Sequence, residues 1–181
     1  MKNIWITMIM LTVAVVMTNG CGKKEAAEKP AGQVPASADV FAGLYGSVDA
    51  DQAEAITTLK TKAKPGEAVI LVGKVMGMME PFVPNRAAFV VGDEEVLVSC
   101  DLLGDDGHCP TPWDLCCDDP EAIRAGTATI QVVDETGAVL KREIRGVNGL
   151  KELSRMRVQG VVAPQSSDEV LIINAERIEL L

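Results

Sequence analysis

Past Gly66 the apolar residues fall into short runs, several with a two-residue period, separated by turn-forming clusters. The stretch 67–76, EAVILVGKVM, is a long apolar run with Gly73 inside it, and an interior strand glycine marks a bulge or a bend. Residues 86–91 and 95–100 read as two strands around the turn Gly92-Asp93-Glu94. In the second of these, Val96, Val98 and Cys100 share a face, which would aim the Cys100 thiol at the core. Residues 127–134 alternate cleanly, with Ala128, Ile130 and Val132 on one side and Thr127, Thr129 and Gln131 on the other. The turn Glu135-Thr136-Gly137 leads back into a partner strand at 138–144, and 150–153 suits one helical turn. Two more strands follow: 155–163, with Met156, Val158, Gly160 and Val162 on one face, and 169–180 after the turn 164–168.

Before Gly66 the period changes. Asp51-Gln52-Ala53-Glu54 has the form of a capping box, in which Asp51 accepts from first-turn donors and Glu54 reaches back. Ala53, Ile56, Leu59 and Ala63 then recur at three- and four-residue steps, Lys60, Lys62 and Lys64 suit the C-terminal end, and Pro65-Gly66 stops the helix. A short helical turn at 40–45 would dock through Phe41, Leu44 and Tyr45.

Many short strands, regular turns and few helices favour a small closed barrel over a sandwich. VILVGKVMG at 69–77, AAFVVGD at 87–93, MRVQGVVA at 156–163 and VLIINAERIEL at 170–180 resemble the first, second, fourth and fifth strands of an OB-fold of the type found in anticodon-binding and helicase-associated domains. The fold class expected is therefore mainly β: an OB-like small barrel over 67–181, with a helical lead-in at 39–66. An insertion at 101–145 would carry a cysteine-rich loop and a hairpin. The segment CPTPWDLCC at 109–117 is similar to one in bacterial exported OB-like proteins, a resemblance that implies no activity.

The N-terminus changes the picture by supplying an address. A basic start and the mostly apolar run 4–17 are too short for a spanning helix, which needs roughly 20 residues, and read as an export signal over 1–20. Thr18-Asn19-Gly20-Cys21 resembles the lipobox of bacterial lipoproteins, although that family usually has Leu and a small residue where Thr18 and Asn19 stand. The resemblance implies acylation of Cys21 and a membrane partner through that lipid. Two or more acyl chains would anchor firmly, each buried methylene contributing about 0.8 kcal/mol. Gly22 in place of Asp after the cysteine points to the outer membrane, facing the periplasm. Residues 21–38, small, charged and proline-bearing, read as a flexible tether.

Charge narrows the ligands. The chain carries 17 Lys and Arg against 26 Asp and Glu, a formal net charge of −9. Single-strand nucleic-acid binders need a basic groove with stacking aromatics, and this acidic chain offers only Phe41, Tyr45, Phe82, Phe89 and Trp113 after its first twenty residues. Nucleic acid is thus not an expected partner. Ten carboxylates and no Lys or Arg lie between Asp93 and Glu121, whereas 141–157 holds six basic residues and two acids. Either the two segments lie against each other or face solvent separately, or the first forms an acidic, cysteine-bearing surface that concentrates cations.

The acidic segment contains the chain's candidate chemistry. With Cys21 consumed by lipid, Cys100, Cys109, Cys116 and Cys117 remain, an even number in an exported chain. The first expectation is two disulfides stapling the loop, crosswise from Cys100 and Cys109, because a Cys116–Cys117 bridge closes a strained ring. The second is a metal site, copper or zinc, using these cysteines and His108, with Met76, Met78 and Met79 as weaker thioether candidates. Against it, no C-x₂-C pair is present and ligation by two adjacent cysteines is awkward. Calcium at Asp101, Asp105 and Asp106 lacks EF-hand spacing. Redox exchange at Cys116–Cys117 lacks C-x-x-C and sits among carboxylates that disfavour a thiolate. One histidine, no G-x-S-x-G and no H-E-x-x-H leave hydrolytic mechanisms without a constellation. The expectation is a non-enzymatic, cofactor-free envelope module contacting a protein or glycan; the alternative is a periplasmic copper- or zinc-binding protein.

Overall fold

The computed structural model describes residues 40–103 and 110–181. The expected export signal, Cys21 and the tether lie outside the described residues, as do Asp105, Asp106, His108 and Cys109. No helix among the described residues is long and apolar enough to cross a membrane.

Five strands close into a barrel: β1 Ala68–Val75, β2 Ala88–Gly92, β3 Thr127–Gln131, β4 Arg155–Val162 and β5 Leu171–Leu180. Their order around the barrel is β1-β2-β3-β5-β4, with β3 and β5 parallel and every other pair antiparallel. The fold is mainly β and OB-like, as the apolar patterning anticipates. The interior is filled by alternate residues of each strand, among them Leu71, Val75, Phe89, Val91, Ile130, Met156, Val158 and Ile173. On the opposite face of β3, Thr127, Thr129 and Gln131 are only half-buried. β3 lies inside the stretch 101–145 assigned to an insertion, so the excursion from the barrel runs only between β2 and β3 and ends at residue 126.

The first strand is regular at Gly73, which pairs with Met156 in an unbroken register. The irregularity lies between Gln159 and Gly160, where β4 and β5 slip by one residue: Gln159 faces Arg177 and Gly160 faces Ala175. The extra residue, Glu176, allows both Ala175 and Ile178 to be buried, three positions apart. Gly160 is obligatory there, since a Cβ would lie 2.3 Å from the Asn174 carbonyl oxygen.

The lead-in helix is shorter than its pattern suggests. Asp49, not Asp51, caps a 3₁₀ turn at Ala50–Gln52, accepting from the Asp51 amide at 3.0 Å. Glu54 does not close a capping box: its amide donates to Ile70 O at 2.9 Å, its carbonyl accepts from Val72, and its carboxylate pairs with Lys62. α1 then spans Ile56–Lys62 and buries Ile56 and Leu59 against the main core. Each such side chain contributes about 1.5–3 kcal/mol. Its N-terminus is capped from a distance by Asp93, whose carboxylate accepts from Thr57 N (3.1 Å) and Thr57 Oγ1 (2.8 Å). The segment 40–45 is a turn, not a helix, docking through buried Phe41 and Leu44 while Tyr45 bridges to Ile178.

Two expected strands are absent. Residues 138–144 make only a bridge, Val133 to Val139, around an Asp134 turn. Residues 95–100 fold back on Asp93, whose carbonyl accepts from Val96 and Leu97, and continue into a 3₁₀ turn at Cys100–Leu102. Val96 and Val98 are 44% and 39% exposed, and Leu97 and Ser99 are the buried pair. The segment packs against the barrel's outer wall rather than extending its sheet, which reverses the face that is covered. The expected helical turn at 150–153 falls earlier, as a 3₁₀ turn at Val147–Gly149.

Candidate functional site

The excursion after β2 is held to the barrel by a second, smaller core. Met76, the residue that follows β1, packs with Leu97 and Leu115, flanked by Trp113, Ala122 and Ile123. Met76 is fully buried there and fills space in this core. Gly92 and Gly126 make room for this contact. A Cβ on Gly92 would meet Met76 Cε at 2.5 Å, and one on Gly126 would meet Val96 Cγ2 at 2.8 Å and Leu97 Cγ at 2.9 Å. Ala122 and Ile123 come from α2, Pro120–Gly126, whose start follows capping rules: Asp119 accepts from Glu121 N and Ala122 N, and Pro120 occupies the first turn.

Two limbs of the excursion run side by side. Cys100 N donates to Asp114 O at 3.2 Å and Asp101 N to Pro112 O at 2.8 Å. The second limb is tied to the barrel's first loop by Gly77 N donating to Trp113 O (3.1 Å) and by the Trp113 indole donating to Met79 O (2.8 Å). Met78 and Met79 are exposed, and Met79 adopts a positive φ of 48°. The tryptophan therefore clamps the methionine loop.

Next comes the turn that presents the cysteines. Asp118 N donates to Leu115 O at 3.0 Å, making Cys116 and Cys117 the central residues of a β-turn. In an extended strand adjacent side chains diverge. Here the turn brings the two sulfurs to 3.8 Å from each other, and Cys100 Sγ lies 3.9 Å from Cys116 Sγ. All three sulfurs lie within 4.8 Å of one another. Ligation by two neighbouring cysteines, awkward on an extended chain, is thus geometrically open. Cys116 and Cys117 are exposed and Cys100 half-buried.

The separations are not those of a disulfide, whose sulfurs are bonded at ~2.05 Å. No two of the described cysteines are at that distance. Tetrahedral ligands at a metal–sulfur length of ~2.3 Å have sulfur–sulfur edges of ~3.8 Å, close to the two edges measured here. Of the remaining candidates, the Asp101 carboxylate is taken by Lys74 Nζ at 3.1 Å and is not open to calcium.

The Cys116 thiol is not set up as a nucleophile. The Cys116 thiol is pushed above the usual cysteine range, first by its contact with Cys117, then by desolvation and the negative charges of Cys117 and Asp114; Cys100 acts in the opposite direction. Asp114 is itself buried, with Oδ2 accepting from Thr111 Oγ1 at 3.3 Å and Oδ1 without a hydrogen-bond partner among the described residues. Among the described residues, acidic and basic segments meet where Arg155 Nε donates to Glu94 Oε2 at 2.6 Å.

Sequence patterning did not single out Lys74, and it raised Asp101 only as a calcium candidate. A lone lysine inside the apolar strand VILVGKV is a signal that could have done so, because a charge on a covered strand must be paired. Comparisons of the chain with known protein families, with curated proteins and with solved structures find no match.

Proposed function

We propose that this chain is a non-enzymatic, lipid-anchored envelope protein whose OB-like barrel carries a thiophilic metal ion, Cu⁺ or Zn²⁺, on Cys100, Cys116 and Cys117. One observation carries the reading: three sulfurs from two separate limbs converge within 4.8 Å, with edges that suit a shared metal. Soft thiolates select these ions over Mg²⁺ or Ca²⁺. Exposure of Cys116 and Cys117 suits a site that takes up and passes on its ion, since structural zinc sites are closed by four protein ligands. The surrounding carboxylates raise the local cation concentration. Acylated Cys21 would hold the protein at the outer membrane, facing the periplasm.

The test is intact mass spectrometry of the full chain purified in detergent. It is run under native conditions for bound metal, and denatured with a thiol-alkylating reagent and no reductant. Alkylatable cysteines, one copper or zinc ion per chain, and loss of that ion in Cys116→Ser/Cys117→Ser are expected. Blocked thiols and no metal would overturn the reading in favour of a disulfide-stapled module that contacts an envelope protein or glycan. The same spectra read the acyl mass on Cys21.

A further inference from the structure

Lys74 lies on the outer face of β1, between inward-facing Gly73 and Val75, yet it is only 5% exposed. What covers it is the cysteine-bearing excursion. Its Nζ donates to Ser99 Oγ at 2.9 Å and to both Asp101 oxygens at 3.1 Å, and Ser99 Oγ donates in turn to Asp101 Oδ1. The residue between Ser99 and Asp101 is Cys100.

Burying an ammonium is costly, and well-packed apolar residues often replace such pairs without loss of stability. A lysine here therefore does something that packing alone does not require. The main chain of Cys100 and Asp101 is already held by the second limb through Asp114 O and Pro112 O. The ammonium adds a grip on the two flanking side chains from the barrel. Together these contacts determine where Cys100 sits relative to the Cys116–Cys117 turn. A nucleophilic role for Ser99 does not fit. It is 1% exposed, and its hydroxyl donates to a carboxylate already paired with lysine, leaving no free base.

We infer that Lys74 is the positioning residue of the thiol cluster, its buried ammonium clamping Ser99 and Asp101 so that Cys100 joins Cys116 and Cys117 as a third ligand. This inference rests on the metal reading and extends it to the residue that assembles the site.

The experiment titrates the full chain, reduced and anaerobic, with Co²⁺ and reads the thiolate-to-metal charge-transfer absorption, whose intensity follows the number of bound thiolates. Wild type should show a three-thiolate band and Cys100→Ser a two-thiolate band. Lys74→Met should fall to the Cys100→Ser intensity and bind at least tenfold more weakly, while Lys74→Arg, which still forks onto Asp101, should restore the third thiolate. Should Lys74→Met fail to fold, the paired exchange Lys74→Met/Asp101→Leu removes both charges together and should also give the two-thiolate band. Full wild-type intensity and affinity in either variant lacking the ammonium would overturn the inference while leaving the metal site standing. A wild-type chain with no charge-transfer band and no copper or zinc ion in its native mass spectrum would overturn the metal reading and this inference together.

Discussion

Single side chains in this protein act over long sequence distances. Asp93 is 3% exposed at the end of β2, and its two oxygens serve Thr57 N, Thr57 Oγ1 and Glu95 N. It caps α1 and starts the excursion with the same carboxylate. Asp93→Ala should cost about 2–3 kcal/mol, from a lost cap and buried donors left unpaired, and Asp93→Asn less, since one acceptor survives. The midpoint of denaturant unfolding measures both. Tyr45, the chain's single tyrosine, has a buried hydroxyl without a hydrogen-bond partner among the described residues, and burial pushes its phenol up to about 12. Because the folded value exceeds the unfolded one of about 10, the neutral phenol's contribution is complete below pH ~10. It is lost as pH rises through the folded value. Tyr45→Phe should hold its stability at neutral pH and lose the alkaline decline that wild type shows between those limits. Melting temperature against pH reads it directly, and an unchanged decline in the variant would refute the assignment.

At the scale of elements, the excursion is a layer pressed onto the barrel wall, and two glycines set how closely it approaches. Gly126→Ala places a methyl within 3 Å of Val96 and Leu97 side-chain atoms. It should cost about 1–3 kcal/mol by overpacking. Because Leu97 leads directly into the Cys100 turn, Co²⁺ affinity should fall with stability, whereas Gly137→Ala, at a remote turn, should lower stability alone. Paired melting and titration curves separate the two. This layer also explains what could and could not be read from sequence. β3, β4 and β5 were legible because their alternate residues face one barrel interior, so period two maps onto burial. The stretch 95–100 alternates as well, but its partner is a wall carrying Met76 and Lys74, so Leu97 and Ser99 are covered and the valines are left outside. The α2 signal was present in Asp119-Pro120-Glu121 but was overshadowed by the adjacent cysteines. The cysteines themselves were legible as a group. Their convergence depends on a β-turn at 115–118 and on cross-limb hydrogen bonds that no spacing rule encodes.

For the whole molecule, two cores imply two levels of stability. The main core joins all five strands and α1, whereas the second rests on three fully covered side chains, Met76, Leu97 and Leu115. Fewer buried apolar groups mean a lower free energy of local opening, so the excursion should exchange its amide hydrogens before the barrel does. A metal bound across Cys100 and the Cys116–Cys117 turn closes both limbs and is released when they part. Its stabilisation, about 2.7 kcal/mol at a free concentration one hundred times the dissociation constant, should therefore fall mainly on that local opening. Hydrogen exchange with and without Zn²⁺ should slow about a hundredfold at the amides of Cys100, Asp101 and Asp118, with little change along β4 and β5. Uniform slowing over the whole barrel would show instead that the excursion and barrel unfold as one unit, with the thiol layer integral to the fold.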